Sequence, residues 1–175
     1  DRTYPELRAM GVVEARAVSV ERRYAAVVAA AGTLALTDLD LRDYDCLVVC
    51  CDGLGSFITL RNARIPTINL CFTPLRAVYD EAYRQRHLSR QGAFRPMATV
   101  LEAGYRALDR MLWRRYDHIV AISAAVKERI EQGGLAQNKS IEINYPGIDF
   151  DEGRQAESYS QYFFLPGRIM WTKNI

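Results

Sequence analysis

Three short stretches carry side chains that could do chemistry, and each follows an apolar run. The first is Gly167-Arg168 with Lys173, just after Tyr162 to Leu165. A guanidinium offers a fork to two oxygens and an ammonium offers a point charge, so this pair could neutralise a diphosphate. Taken alone, it reads equally as two solvated surface cations. The second is Cys71-Phe72-Thr73-Pro74-Leu75-Arg76. Thr73 suits an N-cap and Pro74 a first helical residue. Free N–H groups at such a helix start attract an anion, with Arg76 in the first turn. The plainer alternative is a capped core helix with Arg76 in solvent. The third is Asp52-Gly53-Leu54-Gly55. It has two glycines of a dinucleotide fingerprint, but the third would fall at Ile58, so the fingerprint fails. A tight strand-to-helix turn is the simpler reading, and a backbone lining for a ligand cleft the sharper one.

Nucleophilic catalysis has little support. Ser123 reads as a helix cap, no Ser or Cys sits in a nucleophile elbow, and His87 and His118 are the two histidines. The segment Arg84 to Arg95 holds five basic residues if His87 is counted (Arg84, Arg86, Arg90 and Arg95 are the others). It reads as an exposed basic loop or frayed helix end. Peripheral contact with acidic lipid headgroups or with a phosphorylated acceptor is one use for it, and a solvated loop is the other. It has few aromatics to stack bases, which argues against single-stranded nucleic acid.

The elements that must position these stretches alternate. Tyr4 to Met10 reads as a helix fragment and Val12 to Val20 as a strand. Glu21 to Leu36 is rich in alanine and valine and reads as a helix. After the acidic loop Asp38 to Asp45 comes Cys46 to Cys51, a continuous apolar run suited to a parallel strand buried on both faces. A helix is expected over Phe57 to Asn62 and a second buried strand over Thr67 to Cys71. The helix from Thr73 takes its apolar face from Leu75, Val78, Tyr79 and Tyr83.

Met97 to Arg115 is the clearest helix. Met97, Val100, Leu101, Leu108, Met111 and Leu112 fall on one face, with Glu102, Arg106, Asp109 and Arg110 off it. Asp117 turns the chain into a strand over His118 to Ile122. Ser123 caps a helix that Gly133-Gly134 ends, and Ile141 to Tyr145 alternates as a last strand before Pro146-Gly147. The order β-α-β-α-β-α-β with short turns predicts an α/β domain with a Rossmann-like parallel sheet and helices on both faces. The predicted boundaries are a domain over residues 1–148, an acidic linker over 149–161, and one further strand opening a new, truncated domain over 162–175.

Composition sets the limits. The chain has 175 residues and a net charge of +2, too small to argue for nucleic acid. No apolar run is long enough to span a membrane and nothing near Asp1 resembles a signal peptide. Cys46, Cys50, Cys51 and Cys71 lie in or beside apolar runs, without zinc-type spacing. They read as buried reduced thiols of a cytoplasmic protein.

Several segments together resemble the family-4 retaining glycosyltransferases. Asp117-His118-Ile119-Val120-Ala121-Ile122-Ser123 and the helix through Ile130 look like that family's strand ending in serine. Ile143-Asn144-Tyr145-Pro146-Gly147-Ile148-Asp149 is similar to its proline turn, and Phe164-Leu165-Pro166-Gly167-Arg168-Ile169 with Lys173-Asn174 to the opening of its second domain. Asn69 to Asp80 resembles the "histidine-threonine-proline, methionine, arginine" segment of mannosyltransferase-like members. The resemblance covers roughly Asp45 to Ile175.

It implies the N-terminal, acceptor-side half of a GT-B architecture, with the active site between two Rossmann-like domains. Arg168, Lys173 and Gly167 would then hold the donor diphosphate, and Asp52, Gly53, Phe72, Thr73 and Arg76 would face the acceptor cleft. The implied activity is transfer of a sugar, mannose among the candidates, from a nucleotide-diphosphate donor to a polysaccharide, glycolipid or other lipid-linked acceptor, in a cytoplasmic enzyme for which membrane association is one option. No cofactor beyond the nucleotide sugar as co-substrate, and no metal, is implied. The family's histidine at the reaction centre falls at Phe72, whose side chain cannot make that hydrogen bond, so the catalytic residue is unassigned. The competing expectation is a non-catalytic α/β module that binds an anion or a protein. A nucleic-acid module is disfavoured by the near-neutral charge.

Overall fold

The computed structural model describes residues 24–147. The helix fragment and strand expected before residue 21, the linker, and the strand over Tyr162 to Leu165 lie outside the described residues. Within them runs an α/β chain: α1 (Tyr24–Leu36), β1 (Leu47–Asp52), a 3-10 turn (Leu54–Ile58), α2 (Thr59–Asn62), β2 (Thr67–Thr73), α3 (Arg76–Tyr79), α4 (Glu81–Ser89), a 3-10 turn (Gly92–Phe94), α5 (Arg95–Trp113), β3 (His118–Ala121), α6 (Ala124–Gln132) and β4 (Ile141–Ile143). The four strands pair in parallel in the order β1-β2-β3-β4, flanked by helices, which is a Rossmann-like arrangement. Parallel neighbours need crossovers, and the helical segments supply them.

The strand starts are pinned by one carboxylate. The Thr67 amide donates to Asp117 Oδ2 at 2.8 Å, and the Asp117 amide donates to the Thr67 carbonyl at 2.8 Å. Asp117 thus does turn the chain into β3. Tyr116, fully buried, meets Trp113 edge to face with ring centroids 5.8 Å apart, and its hydroxyl lies 3.1 Å from Ser56 Oγ. Ile119, Ala121, Ile130, Leu135 and Cys71 complete the centre of the core. Ser123 caps α6 as expected, accepting from the Val126 amide at 3.3 Å. Gly133 and Gly134 end that helix, and Gly134 has φ +64°.

The two faces of the sheet are unequally covered among the described residues. Val49, Asn69, Cys71, Ile119 and Ala121 are buried, while Val48, Cys50 and Phe72 on the alternate positions are exposed. Parallel strands usually hide both sides. The expectation that the Cys46 to Cys51 run is wholly buried is therefore corrected. So is that of four buried thiols: Cys71 is buried, and Cys46 and Cys50 are exposed.

Two helix boundaries also differ. Thr73 is not an N-cap. It ends β2, paired with Asp52, because a residue before proline is pushed to extended backbone. Leu75 precedes α3 instead, and offers no side-chain cap. The helix then breaks at Asp80, which is extended (φ −107°, ψ 109°) and caps α4 by accepting from the Tyr83 amide at 3.2 Å. Of the two readings of the basic segment, loop or frayed helix end, the loop is therefore corrected for Arg84 to Ser89, which are helical.

The helix α5 is the least expected element. Of the six residues on its apolar face only Leu112 is buried, while Met97 is 57% and Val100 71% exposed. The polar arc faces the protein. Glu102 accepts from Arg84 Nε at 2.6 Å and Arg106 Nε at 3.1 Å, with its side chain only 9% exposed. Arg106 also donates to the Val78 carbonyl, and Arg110 Nε to that of Gly133 at 3.1 Å. These carbonyls belong to α3 and to the end of α6, so arginines on α5 satisfy the ends of the helices beneath.

The far end of α5 is closed by a residue that periodicity does not flag. Lys139 Nζ donates to the Arg114 carbonyl at 2.8 Å and to that of Tyr116, with the Trp113 carbonyl at 3.5 Å. Burial lowers its pKa, opposed by Asp117 nearby. Lys139→Met should lose about 2 kcal/mol, the usual scale for hydrogen bonds to a charged group. A urea midpoint unchanged by that substitution would show that the ammonium caps nothing.

Candidate functional site

In open parallel sheets, ligands sit beyond the carboxyl ends of the strands. Here that edge carries Asp52 ending β1 and Gly53 after it, Phe72 and Thr73 ending β2, the turn through Arg76, and Ser123 after β3. Asp52 pairs with Thr73 across a register shift between Cys51 and Asp52. Gly53, at φ +75°, lets the next turn close in: a methyl built on it would lie 3.0 Å from both Leu75 Cβ and Cδ1. The Tyr105 hydroxyl, reaching from α5, donates to the Gly53 carbonyl at 3.2 Å. The five residues assigned from sequence to the acceptor cleft are thereby gathered on one edge.

Their chemistry centres on Asp80, which the sequence reading did not single out. Its Oδ2 lies 3.3 Å from Arg129 Nη2 and 3.6 Å from Arg76 Nε. Arg129 Nη1 also donates to Thr73 Oγ1 at 3.3 Å. Arg76 sits over the Tyr83 ring, 5.6 Å from its centroid. One carboxylate shared by two guanidiniums leaves a net positive charge beside the end of β2. A groove of about 320 Å³ adjoins it, lined by Asp80, Glu81, Glu128 and Arg129 with Tyr79 and Gln132 among others, so its lining holds three carboxylates to one guanidinium and suits a polar, hydroxyl-bearing ligand rather than an anion. Arg129 could not be found from spacing, since on α6 it looks like any exposed helical arginine. Only the fold brings it 56 residues back to Thr73.

Phe72 points from the opposite side of β2 and is 43% exposed. It makes the edge apolar where a hydrogen-bonding group was expected. A larger hollow of about 470 Å³ lies among Asp38 to Arg42 and Arg61 to Ile65. It opens at the amino ends of the strands, the edge that ligands of such sheets do not use. Gly167, Arg168 and Lys173 lie outside the described residues. Among the described residues no group of three His, Cys, Asp or Glu side chains could hold a metal ion. No described helix is long and apolar enough to cross a membrane.

The buried polar residues behind this edge are unusual. Asp109 is 2% exposed, close to Tyr79 and Trp113. Burial raises its carboxyl from 3.8 to about 6, against smaller lowering effects of those two side chains. Burial and the Asp109 charge also push the Tyr79 hydroxyl upward. Asn69, beneath the helices on β2, has neither amide atom hydrogen-bonded.

The class these observations define is a Rossmann-like α/β sheet with a polar carboxyl edge. Compared with protein-family models, with curated proteins and with solved structures, the chain matches none.

Proposed function

We propose that the chain is the acceptor-side domain of a retaining glycosyltransferase of GT-B type, with residues 162–175 opening the donor-binding side. The observation that carries this reading is the gathering of Asp52, Gly53, Thr73 and Arg76 on one carboxyl edge. The quoted sequence resemblance puts the cleft on that same edge. In this reading Arg168 and Lys173 stabilise the departing diphosphate as its charge builds, and the Arg76, Asp80 and Arg129 cluster orients the acceptor. The donor is a nucleotide sugar, mannose among the candidates. The acceptor is a polysaccharide or lipid-linked glycan.

The test is sugar transfer by the full-length natural protein, scored as nucleoside diphosphate released from a panel of nucleotide sugars with glycan and glycolipid acceptors. Arg168→Ala should lower donor turnover by a hundredfold or more, the scale of losing one transition-state contact. An unchanged donor response would reduce the basic pair to surface charge. Tight calorimetric binding of a nucleotide sugar to these 175 residues alone would overturn the domain assignment.

A second reading is favoured by Phe72. An exposed aromatic ring in place of a polar side chain suits a non-catalytic module that binds an anion or a protein. It predicts no transfer with any donor.

A further inference from the structure

The outward face of α5 has no part in the proposed transfer reaction, and its residue pattern fits another helix. Met97, Gly104 and Met111 recur every seven residues, with Val100, Leu101 and Leu108 between them. That is the period of a seam between two packed helices. The five large side chains are 37–71% exposed. Gly104 stands in the middle of them, and a methyl built on it would meet nothing within 4 Å. Glycine inside a helix is destabilising relative to alanine, and no neighbour among the described residues requires it here. What glycine does permit is the close approach of a second backbone. The charged side chains of α5 avoid this face. Glu102, Arg106 and Asp109 turn inward. Arg110 donates to the Gly133 carbonyl at 3.1 Å, Arg114 to Gln137 Oε1 at 3.1 Å and Arg115 to the Thr59 carbonyl at 3.4 Å, so all three are engaged with their own chain.

From this pattern we infer that two copies of the chain pair through α5, antiparallel about a two-fold axis at Gly104. A two-fold interface must be self-complementary, and this face is. Met97 and Met111 lie seven residues to either side of Gly104, Leu101 lies three before it and Leu108 four after it. Antiparallel pairing therefore sets Met97 of one copy against Met111 of the other, and Leu101 against Leu108, with the two glycines at the closest approach. The face exposes on the order of 600 Å² of apolar surface, the top of the range for the largest patch on a typical monomer. Two such faces together reach ~1,200 Å², the lower bound for a specific interface. The dimer is accordingly a weak one, with a dissociation constant in the micromolar range. Any partner that needs only apolar surface would gain from a larger side chain at position 104, whereas a helix crossing there would not.

The inference stands apart from the sugar-transfer reading, because its test needs no donor or acceptor. Sedimentation velocity of the purified protein over a wide range of concentration should show a monomer passing to a dimer. Gly104→Leu is the deciding variant. It should weaken the dimer about tenfold or more, because the added side chain holds the two helices apart. The urea midpoint of its monomer should stay level or rise, since leucine is the better helix former and the site is open. Leu101→Glu/Leu108→Glu should leave a monomer with an unchanged circular dichroism spectrum. A dimer that Gly104→Leu leaves unchanged or tightens overturns the inference. So does a protein that stays monomeric at its highest soluble concentration. If that monomer sediments with phosphatidylcholine vesicles through the same two leucines, the face belongs to a lipid surface instead.

Discussion

Asp109→Asn is expected to stabilise the protein at pH 8 by roughly 2–3 kcal/mol and to change little at pH 4. The folded-state pKa of Asp109 is about 6 against an ordinary 3.8, raised by burial. The folded chain therefore holds this proton more tightly than the unfolded chain. Between about 4 and about 6 the native state binds more protons, so stability falls as pH rises through that window. Above it, the native protein keeps an ionised carboxylate in a site where Oδ1 has no hydrogen-bond partner. Asparagine has nearly the same shape and no charge to bury. Urea midpoints of the two proteins at pH 4 and pH 8 isolate this effect, because every other titrating group cancels in the difference. A variant less stable at pH 8 would mean that the carboxylate is ionised and well paired.

The same residue shows where sequence reading stops. From periodicity Asp109 lies off the apolar face of α5, and nothing in the sequence marks it as buried, since charged side chains are rarely fully buried. Apolar periodicity located the helix to within two residues at each end, and its stripe correctly. It could not say which arc meets the protein. That choice depends on Glu102, Arg106 and Arg110 finding Arg84 and the carbonyls of Val78 and Gly133, which are long-range contacts. Strands β1 to β3 were legible because buried parallel strands are short apolar runs bounded by turn residues, and their ends were right to within two residues. The helix after β2 starts later than Pro74 suggests, because the proline holds Thr73 in extended backbone and so in the strand. At the candidate site, Gly53 is visible in the sequence as a turn and Arg76 as first-turn chemistry, whereas Thr73, read as an N-cap, ends β2 instead. Asp80 and Arg129 are not visible, since their roles exist only once α6 lies beside the end of β2.

Gly53→Ala should destabilise by about 2–4 kcal/mol, from two sources that can be separated. The first is backbone strain: φ +75° with ψ −76° lies outside the regions open to L side chains, at about 1–3 kcal/mol. The second is overpacking against Leu75, whose Cβ and Cδ1 would lie 3.0 Å from the new methyl. Leu75 packs against the buried core, so it cannot simply withdraw. Leu75→Ala keeps its Cβ but removes the Cδ1 contact. The double variant should therefore recover part of the overpacking and none of the strain. The expected coupling between the two substitutions is about 1 kcal/mol, within the range for residues in contact. Purely additive effects would mean that the two turns do not touch. If transfer activity is established, Gly53→Ala should lower it at temperatures where the variant is still folded, because the contact sets the spacing of Asp52 and Thr73 on the acceptor edge. Full activity in the folded variant would place the acceptor elsewhere on the sheet.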